Sequence, residues 1–172
     1  ESPVFHKSRL VFGLRWAREA IKKTQTVLVM EGYTDCIKAQ QAGLLNVVAT
    51  LGTALTESHV TLLKRLARTV VLVYDGDKAG KDATERAIFK FLAQDVDLRV
   101  LTLPEGLDPD EFLTEHGVAA MERLVETAPD VGEYELRLLI SRYGVDTVEA
   151  RRRVLDGMLE LLVMSPGIMG TD

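Results

Sequence analysis

The sequence contains one cysteine, Cys36, among its 172 residues. An internal disulfide and a cysteine-based zinc site are therefore excluded, and a reducing intracellular setting is the simplest interpretation. Apolar runs are short, and none approaches the roughly 20 residues that a membrane-spanning helix requires. The amino terminus also lacks the apolar stretch of a signal peptide. We expect a cytoplasmic protein with no membrane contact.

Charge is distributed unevenly along a chain whose net charge is −5. Residues 1–26, here called the basic leader, carry six basic and two acidic residues. The rest of the chain is acidic, which argues against a polycation that coats nucleic acid without specificity. The composition, 47% hydrophobic and 27% charged, is that of a globular protein. An amphipathic helix with a cationic outer face is predicted over residues 8–23.

Short apolar runs alternate with helical patterns through the first two thirds of the chain. The runs are nearly continuous rather than alternating, which is typical of parallel strands buried on both faces. Helices are predicted over residues 34–42, from Thr56 to about Leu66, and over residues 78–92. This pattern predicts an α/β fold with a mainly parallel sheet flanked by helices. Its four strands are predicted over residues 26–30, 46–50, 69–74 and 97–103.

The last part of the chain has only helical patterns, so we expect a carboxy-terminal helical segment after the α/β part. We predict three divisions: the leader and its helix over residues 1–25, the α/β domain over 26–117, and a truncated helical subdomain over 118–172. Because position 1 is not methionine, we expect a piece of a longer protein. The late helices are predicted over residues 110–115, 119–127, 132–143 and 148–164.

Acidic residues follow three of the four predicted strands. Glu31 follows the first strand, Asp75 and Asp77 follow the third, and Asp108 and Asp110 lie beyond the fourth. Ligands of open parallel sheets bind at the carboxyl ends of the strands. Glu31 is expected to meet the Asp75 and Asp77 pair if the first and third strands are neighbours.

Clustered carboxylates repel one another, by roughly 4 kcal/mol for a pair 4 Å apart at an effective dielectric of about 20. Divalent cations remove this repulsion, and Mg²⁺, or Mn²⁺ in its place, prefers carboxylate, water and phosphate oxygens. No histidine joins the acidic residues in sequence, which argues against zinc. The sequence therefore predicts a magnesium site at this edge of the sheet.

Several of these residues also have simpler interpretations. Asp108 and Asp110 fit the first turn of a helix, where Asp caps and Pro109 is favoured. Asp77 can cap a following helix, and Asp35 can compensate a helix dipole while supporting the site. Lys78 and Lys81 can hold phosphate or pair with neighbouring acidic residues. We expect no stripe of base-stacking rings around Trp16, because aromatic residues are sparse.

Five ordered segments together resemble a known family. They are FHKSRLVFGL (5–14), VLVMEGYTD (27–35), ATLGTALT (49–56), VVLVYDGDKAGKDA (70–83) and LPEGLDPDEFL (103–113). Glu-Gly-Tyr-Thr-Asp after one strand and Asp-Gly-Asp after another resemble the TOPRIM domain of primases, topoisomerases and some nucleases. Within that set, the chain is most similar to bacterial DnaG-type DNA primases.

The resemblance implies metal-dependent nucleotidyl transfer, the synthesis of RNA primers on single-stranded DNA for replication. Glu31, Asp75 and Asp77 match the catalytic metal-binding acids, and Asp108 lies where a further acid assists. Lys7 matches a basic position of the family and, with Arg9, is expected to contact nucleic acid or the incoming ribonucleoside triphosphate, and Lys78 and Lys81 border the acids. Asp35 and Asp110 are expected to support the metal ligands.

The chain departs from a complete primase of this kind. It contains no zinc-binding module, no preceding polymerase subdomain and no module that binds the replicative helicase, so we expect this piece to prime poorly alone. Three alternatives remain open: another TOPRIM enzyme such as a nuclease or topoisomerase, a haloacid-dehalogenase-like phosphatase with Asp75 as nucleophile, and a non-catalytic docking module.

Overall fold

A parallel sheet forms the centre of the molecule. The computed structural model describes residues 7–52, 54–74, 88, 91 and 96–164. Its sheet has four strands in the order β2-β1-β3-β4, all parallel, which confirms the predicted α/β fold. β1 and β3 are neighbours, as the acidic site requires. The strands are β1 Thr26–Met30, β2 Val47–Ala49, β3 Thr69–Tyr74 and β4 Asp97–Thr102.

Most helices lie where the residue spacing predicts them. α2 ends at Gly43, as predicted, and Thr56 caps α3 by accepting a hydrogen bond from the His59 N–H at 3.2 Å. The helix predicted over 78–92 falls outside the described residues, apart from Ile88 and Phe91, which are buried. The described helices are α1 Leu14–Thr24, α2 Tyr33–Ala42, α3 Glu57–Lys64, α4 Pro109–His116, α5 Val118–Glu126, α6 Val131–Tyr143 and α7 Val148–Met164.

The first predicted helix begins later than expected. The pattern predicted a helix from residue 8, whereas α1 begins at Leu14 after a short 3₁₀ helix, Lys7–Arg9. Two local features interrupt the helical pattern. Phe12 pairs with Ala49 through two backbone hydrogen bonds, of 2.7 and 3.1 Å. Gly13 then adopts a φ of 82°, which favours glycine because it has no Cβ.

Helices cover both faces of the sheet. Alternate strand residues point to opposite faces, so each face has its own apolar cluster. On one face, Val29 and Leu72 join Ile21 of α1 and Leu63 of α3. The residues of the other face lie with α2, α4 and α5; the buried ones include Leu28, Met30, Val71, Val73, Cys36, Phe112 and Met121.

Each of the two edge strands pairs with another segment through one isolated antiparallel bridge. At the β2 edge, Phe12 pairs with Ala49, and at the β4 edge, Arg99 pairs with Asp130. The second bridge includes a hydrogen bond from the Val100 N–H to the Pro129 carbonyl at 3.1 Å. The segments before α1 and before α6 are thereby fastened to opposite edges of the sheet.

Helices α6 and α7 form an antiparallel hairpin that packs on the body through a narrow stripe. Val154 and Leu161 of α7 are buried, and Leu161 joins the first apolar cluster. Leu155 and Leu159, on the same helix, are exposed. No helix in the described part of the chain has the length and apolar composition needed to span a membrane.

Candidate metal and nucleic-acid site

Glu31 lies at the carboxyl end of β1, and its side chain is exposed. Its backbone is held by Thr50, the buried residue that follows β2. The Thr50 hydroxyl donates to the Glu31 carbonyl at 3.2 Å, and the Thr50 N–H donates to the Met30 carbonyl at 3.2 Å. The ends of two strands therefore fix the backbone of Glu31 while its carboxylate remains in solvent.

The turn after Glu31 depends on a glycine. A Cβ at Gly32 would lie 2.2 Å from the Asp35 carboxylate oxygen, so any side chain there would displace that carboxylate. Gly32 also accepts a hydrogen bond from the Cys36 N–H at 3.2 Å as α2 begins. Asp35 thus lies in the first turn of α2, close to the backbone that follows Glu31.

The aspartates predicted after β3 lie outside the described residues. These are Asp75 and Asp77, together with the neighbouring Lys78 and Lys81. The described part of β3 ends at Tyr74, and Val73 is in register with Met30, the residue before Glu31. In sequence, Glu31 and Asp75 therefore each follow the same end of two adjacent parallel strands.

Asp108 and Asp110 occupy the first turn of α4. The Asp108 carboxylate accepts a hydrogen bond from the Glu111 N–H at 2.7 Å, and Glu111 accepts one from the Asp108 N–H at 3.1 Å. Asp108 is therefore a helix cap, as its simpler interpretation predicts. Asp110 forms an ion pair with Lys38 of α2.

Lys38 is a residue that the sequence interpretation missed. The pKa of Lys38 is raised, chiefly by its hydrogen bond to Asp110 and further by the negative charges of Asp110, Asp108 and Asp35, while desolvation opposes the shift. Three acidic residues from two helices therefore lie around one ammonium group. The packing of α2 on α4 brings them together, and nothing in the local sequence of α2 indicates it.

The donor chemistry of the predicted metal ligands fits a hard divalent cation, because Glu31, Asp75, Asp77 and Asp108 offer only carboxylate oxygens. Among the residues that the structure describes, no three histidine, cysteine, aspartate or glutamate side chains are grouped closely enough to hold a metal ion. Two of the four predicted ligands lie outside that part of the chain.

The backbone that carries the basic residues Lys7 and Arg9 of the leader is fixed by hydrogen bonds. Lys7 and Arg9 are exposed, whereas His59 beneath them is fully buried. The His59 Nε2 lies 3.0 Å from the Lys7 carbonyl and 3.1 Å from the Leu10 carbonyl, and Nδ1 accepts from the Thr56 N–H at 3.2 Å. This pattern requires the neutral imidazole with its proton on Nε2.

Three aromatic rings lie together on the surface beside this segment. The Phe12 ring centroid is 6.3 Å from that of Trp16 and 5.9 Å from that of Tyr33. Trp16 is 67% exposed and Tyr33 is 53% exposed. The low aromatic content gave no indication of this group of rings, which forms because the Phe12–Ala49 bridge brings α1 close to the start of α2.

Known proteins resemble the chain along nearly its whole length. It is 40% identical over 170 residues to a DNA primase of Staphylococcus aureus and 36% identical over 164 residues to one of Clostridium acetobutylicum. These alignments cover 98% and 94% of the chain but only 28% and 27% of the relatives. The chain thus spans little more than a quarter of the curated primases that it matches.

Solved structures show the same fold. A DNA primase domain from Pseudomonas aeruginosa superposes with a TM-score of 0.87 at 36% identity, covering 96% of this chain and 53% of that one. The catalytic core of the E. coli primase gives 0.85 at 35% identity, covering 96% and 54%. A DnaG primase catalytic domain bound to single-stranded DNA gives 0.85 at 34% identity, covering 96% and 55%.

A family model also matches the part of the chain that contains the candidate site. It is described as Toprim-like and aligns with residues 28–113, which include the ends of β1 and β3 and the cap of α4. The fold is that of the DnaG-type catalytic cores, as the resemblance in sequence implied. On these grounds, the chain belongs to the Toprim-like family.

Proposed function

We propose that the chain is part of the catalytic core of a DNA primase, a nucleotidyltransferase that makes RNA primers on single-stranded DNA. The observation that carries the proposal is the parallel pairing of β1 with β3, in which Met30 is in register with Val73. The chain therefore leaves β1 before Glu31 and β3 after Tyr74 at the same edge of the sheet, and Asp75, Gly76 and Asp77 follow Tyr74 in the sequence. The likeness to primases over nearly the whole chain supports this function.

Glu31, Asp75, Asp77 and Asp108 would hold Mg²⁺, or Mn²⁺, and no zinc is assigned to this part of the protein. Such ions supply charge stabilisation at the phosphorus centre and lower the pKa of the attacking 3′ hydroxyl. Glu31 is suited to this role because strand ends hold its backbone and its carboxylate faces solvent. Asp35 and Asp110 support the ligands from α2 and α4, and Lys38 balances their charge.

Lys7, Arg9, Lys78 and Lys81 are proposed to bind phosphates of the nucleic acid or the incoming nucleotide. The geometry of Lys7 supports this role, because the buried His59 fixes its backbone while its side chain remains exposed. A lysine on a fixed backbone loses less conformational freedom on binding than one on a mobile segment.

The partners proposed are the single-stranded DNA template, ribonucleoside triphosphates and, through a region outside this sequence, the replicative helicase. A related primase domain has been solved with single-stranded DNA. We place the protein in the bacterial cytoplasm at the replication fork. The boundaries at residues 25 and 117 remain proposals.

The metal assignment is tested by thermal unfolding with and without millimolar Mg²⁺ or Mn²⁺. We expect the ions to raise the melting temperature, because a ligand that binds only the folded state stabilises it. The rise should be about 2–4 °C for each kcal/mol of stabilisation. Glu31→Gln keeps the shape of the side chain but removes its charge, so it should abolish the rise.

Asp108 provides a matched pair of variants for the same measurement. Asn caps helices as well as Asp does, so Asp108→Asn should leave the metal-free melting temperature unchanged while reducing the response to Mg²⁺. Asp108→Ala should lower the metal-free stability by about 1 kcal/mol as well. If Asp108→Asn responds to Mg²⁺ like the unaltered chain, Asp108 is a cap and not a ligand.

The alternatives predict other results. No shift with either ion, in the unaltered chain, would favour a docking module over an enzyme. Metal-dependent cleavage of DNA without incorporation of ribonucleotides would indicate a nuclease. A trapped phosphate on Asp75 would indicate a phosphatase.

A further inference from the structure

The surface beside the proposed metal site carries a continuous group of rings. Phe12, Trp16 and Tyr33, here called the aromatic shelf, come from the leader, α1 and α2. Phe12 lies between the other two, with ring planes tilted by 46° to Trp16 and 56° to Tyr33. The outer rings are the exposed ones, at 67% and 53%, so the shelf offers most of their area to solvent.

The shelf is held in place by backbone as well as side-chain contacts. Phe12 is fastened to the β2 edge by its two hydrogen bonds with Ala49. Tyr33 is the first residue of α2 and follows Glu31 by two positions. Thr50, which follows Ala49, donates to the Glu31 carbonyl. The shelf and the backbone of Glu31 are therefore fixed by the same strand end.

Basic residues predominate on the segment that leads to the shelf: between Lys7 and Thr24 the exposed charged side chains are six basic ones and one acidic one, Glu19. On the side of α2, Glu31 and Asp35 lie two positions before and after Tyr33 in the chain. The helix that carries Trp16 also carries four exposed basic residues, and none of them has an ion-pair partner within the described ranges. The exposed Lys7 and Arg9 precede Phe12 in the chain. The basic residues of α1 are Arg15, Arg18, Lys22 and Lys23.

We propose that the aromatic shelf stacks unpaired bases of a single-stranded nucleic acid whose phosphates lie along the basic leader. Exposed rings beside exposed cations suit such a strand, because bases stack on rings and phosphates pair with cations. A paired duplex offers no free base faces, so the shelf selects unpaired nucleotides. This inference rests on the proposed function and adds a site for the template to it.

Trp16 is the only tryptophan in the chain, so its fluorescence reports directly on the shelf. We would titrate the 172-residue chain with an oligothymidylate and with an abasic oligomer that has the same number of phosphates. Stacking should quench Trp16 with the oligothymidylate and leave it nearly unchanged with the abasic oligomer. Higher salt should weaken the binding of both oligomers, because it reduces the contribution of the phosphates to the binding free energy.

Variants are compared by the fluorescence anisotropy of a labelled oligothymidylate. Trp16→Ala should weaken binding by about 5- to 150-fold, the range expected for the loss of one base–ring stack. Trp16→Phe retains a ring and should recover most of the affinity, and Tyr33→Ala should weaken binding in the same direction. Tyr143→Ala removes a partly exposed ring of α6 that is not part of the shelf, and it serves as the matched control.

The outcomes separate this inference from the function on which it rests. Suppose that binding depends on salt, is equal for both oligomers and is unchanged in Trp16→Ala. That result would overturn the proposal that the shelf stacks bases, and it would leave the proposed function intact. Failure to bind either oligomer counts against both, and the metal response then decides whether the catalytic assignment survives. Loss of self-association in Trp16→Ala, without loss of oligonucleotide binding, would show that the shelf joins two copies of the chain.

Discussion

The α/β body and the α6–α7 hairpin bury their apolar residues to different extents. In the body, four of the five residues of β1 and the four central residues of β3 are buried. In α7, Leu155 is 63% exposed and Val163 is 74% exposed, although this helix contains the buried Val154 and Leu161. The body is closed on both faces, whereas the hairpin buries one stripe of each helix.

The difference follows from the number of neighbours that each element has. A central parallel strand has strands on two sides and helices above and below, so each of its side chains meets a packed layer. A helix in a two-helix hairpin meets one partner and one body surface. Its remaining apolar residues therefore stay in solvent, and sequence hydrophobicity alone indicates burial less well there than in the sheet.

Truncating one leucine in each region tests the comparison most strongly. Leu72 of β3 is fully buried, so Leu72→Ala should lower the free energy of unfolding by about 2–5 kcal/mol. Leu155→Ala in α7 should change it by no more than about 0.5 kcal/mol. Urea denaturation monitored by circular dichroism measures both. Equal losses would show that the exposed face of the hairpin is packed in solution.

A tight contact between the two helices of the hairpin offers a smaller effect. A Cβ on Gly157 of α7 would lie 2.8 Å from both terminal methyl groups of Leu139 in α6. Alanine is favoured over glycine inside a helix by about 1 kcal/mol, but in Gly157→Ala the new methyl must displace Leu139. We expect Gly157→Ala to stabilise the chain more in a Leu139→Ala background than in the unaltered chain.

The difference between the two backgrounds should approach about 1 kcal/mol, measured by the same denaturation. Identical effects of Gly157→Ala in both backgrounds would mean that α6 and α7 are not in contact at this position. The hairpin would then be looser than the comparison with the body assumes.

A pH-dependent effect concerns the thiol, which only the body contains. Burial, and secondarily the charge of Asp35, raises the pKa of Cys36 from 9.0 to about 12. Between these values the unfolded chain loses the thiol proton while the folded chain keeps it, so deprotonation favours unfolding. Stability should therefore fall as pH rises above 9, and this contribution should be absent from Cys36→Ala.

The measurement is the slope of unfolding free energy against pH from 8 to about 10.5, compared between Cys36→Ala and the unaltered chain. The comparison cancels the lysines and tyrosines, which titrate in both. Parallel profiles would mean that the folded body does not shield Cys36 from solvent.

The sheet could be predicted well from sequence, because short continuous apolar runs between polar turns rarely form anything other than buried strands. β1 and β3 occupy the predicted residues and are adjacent. The convergence of Glu31 with Asp75 stays a prediction, because Asp75 lies outside the described residues. The late helices also lie within one or two residues of their predicted bounds. For α2 and α3, Gly43 and Thr56 are sequence signals for an end and a start.

Contacts between distant segments could not be predicted in the same way. Lys38 was missed because its partner Asp110 lies on another helix. The aromatic shelf was missed because Phe12 and Tyr33 meet only through the pairing of Phe12 with Ala49. Neither contact is reflected in a periodic pattern of residues along the chain. The pairing of Phe12 with Ala49 also made the predicted start of α1 wrong.

The two isolated bridges at the sheet edges have a consequence for behaviour in a crowded cell. An open edge strand exposes unpaired N–H and carbonyl groups to which a foreign strand can add, and such addition is a route to fibrils. In this molecule, Phe12 occupies hydrogen-bonding groups of Ala49, and the segment around Asp130 occupies those of β4. Each bridge therefore blocks part of an edge strand, so the chain resists adding its edge to the edge of a second copy.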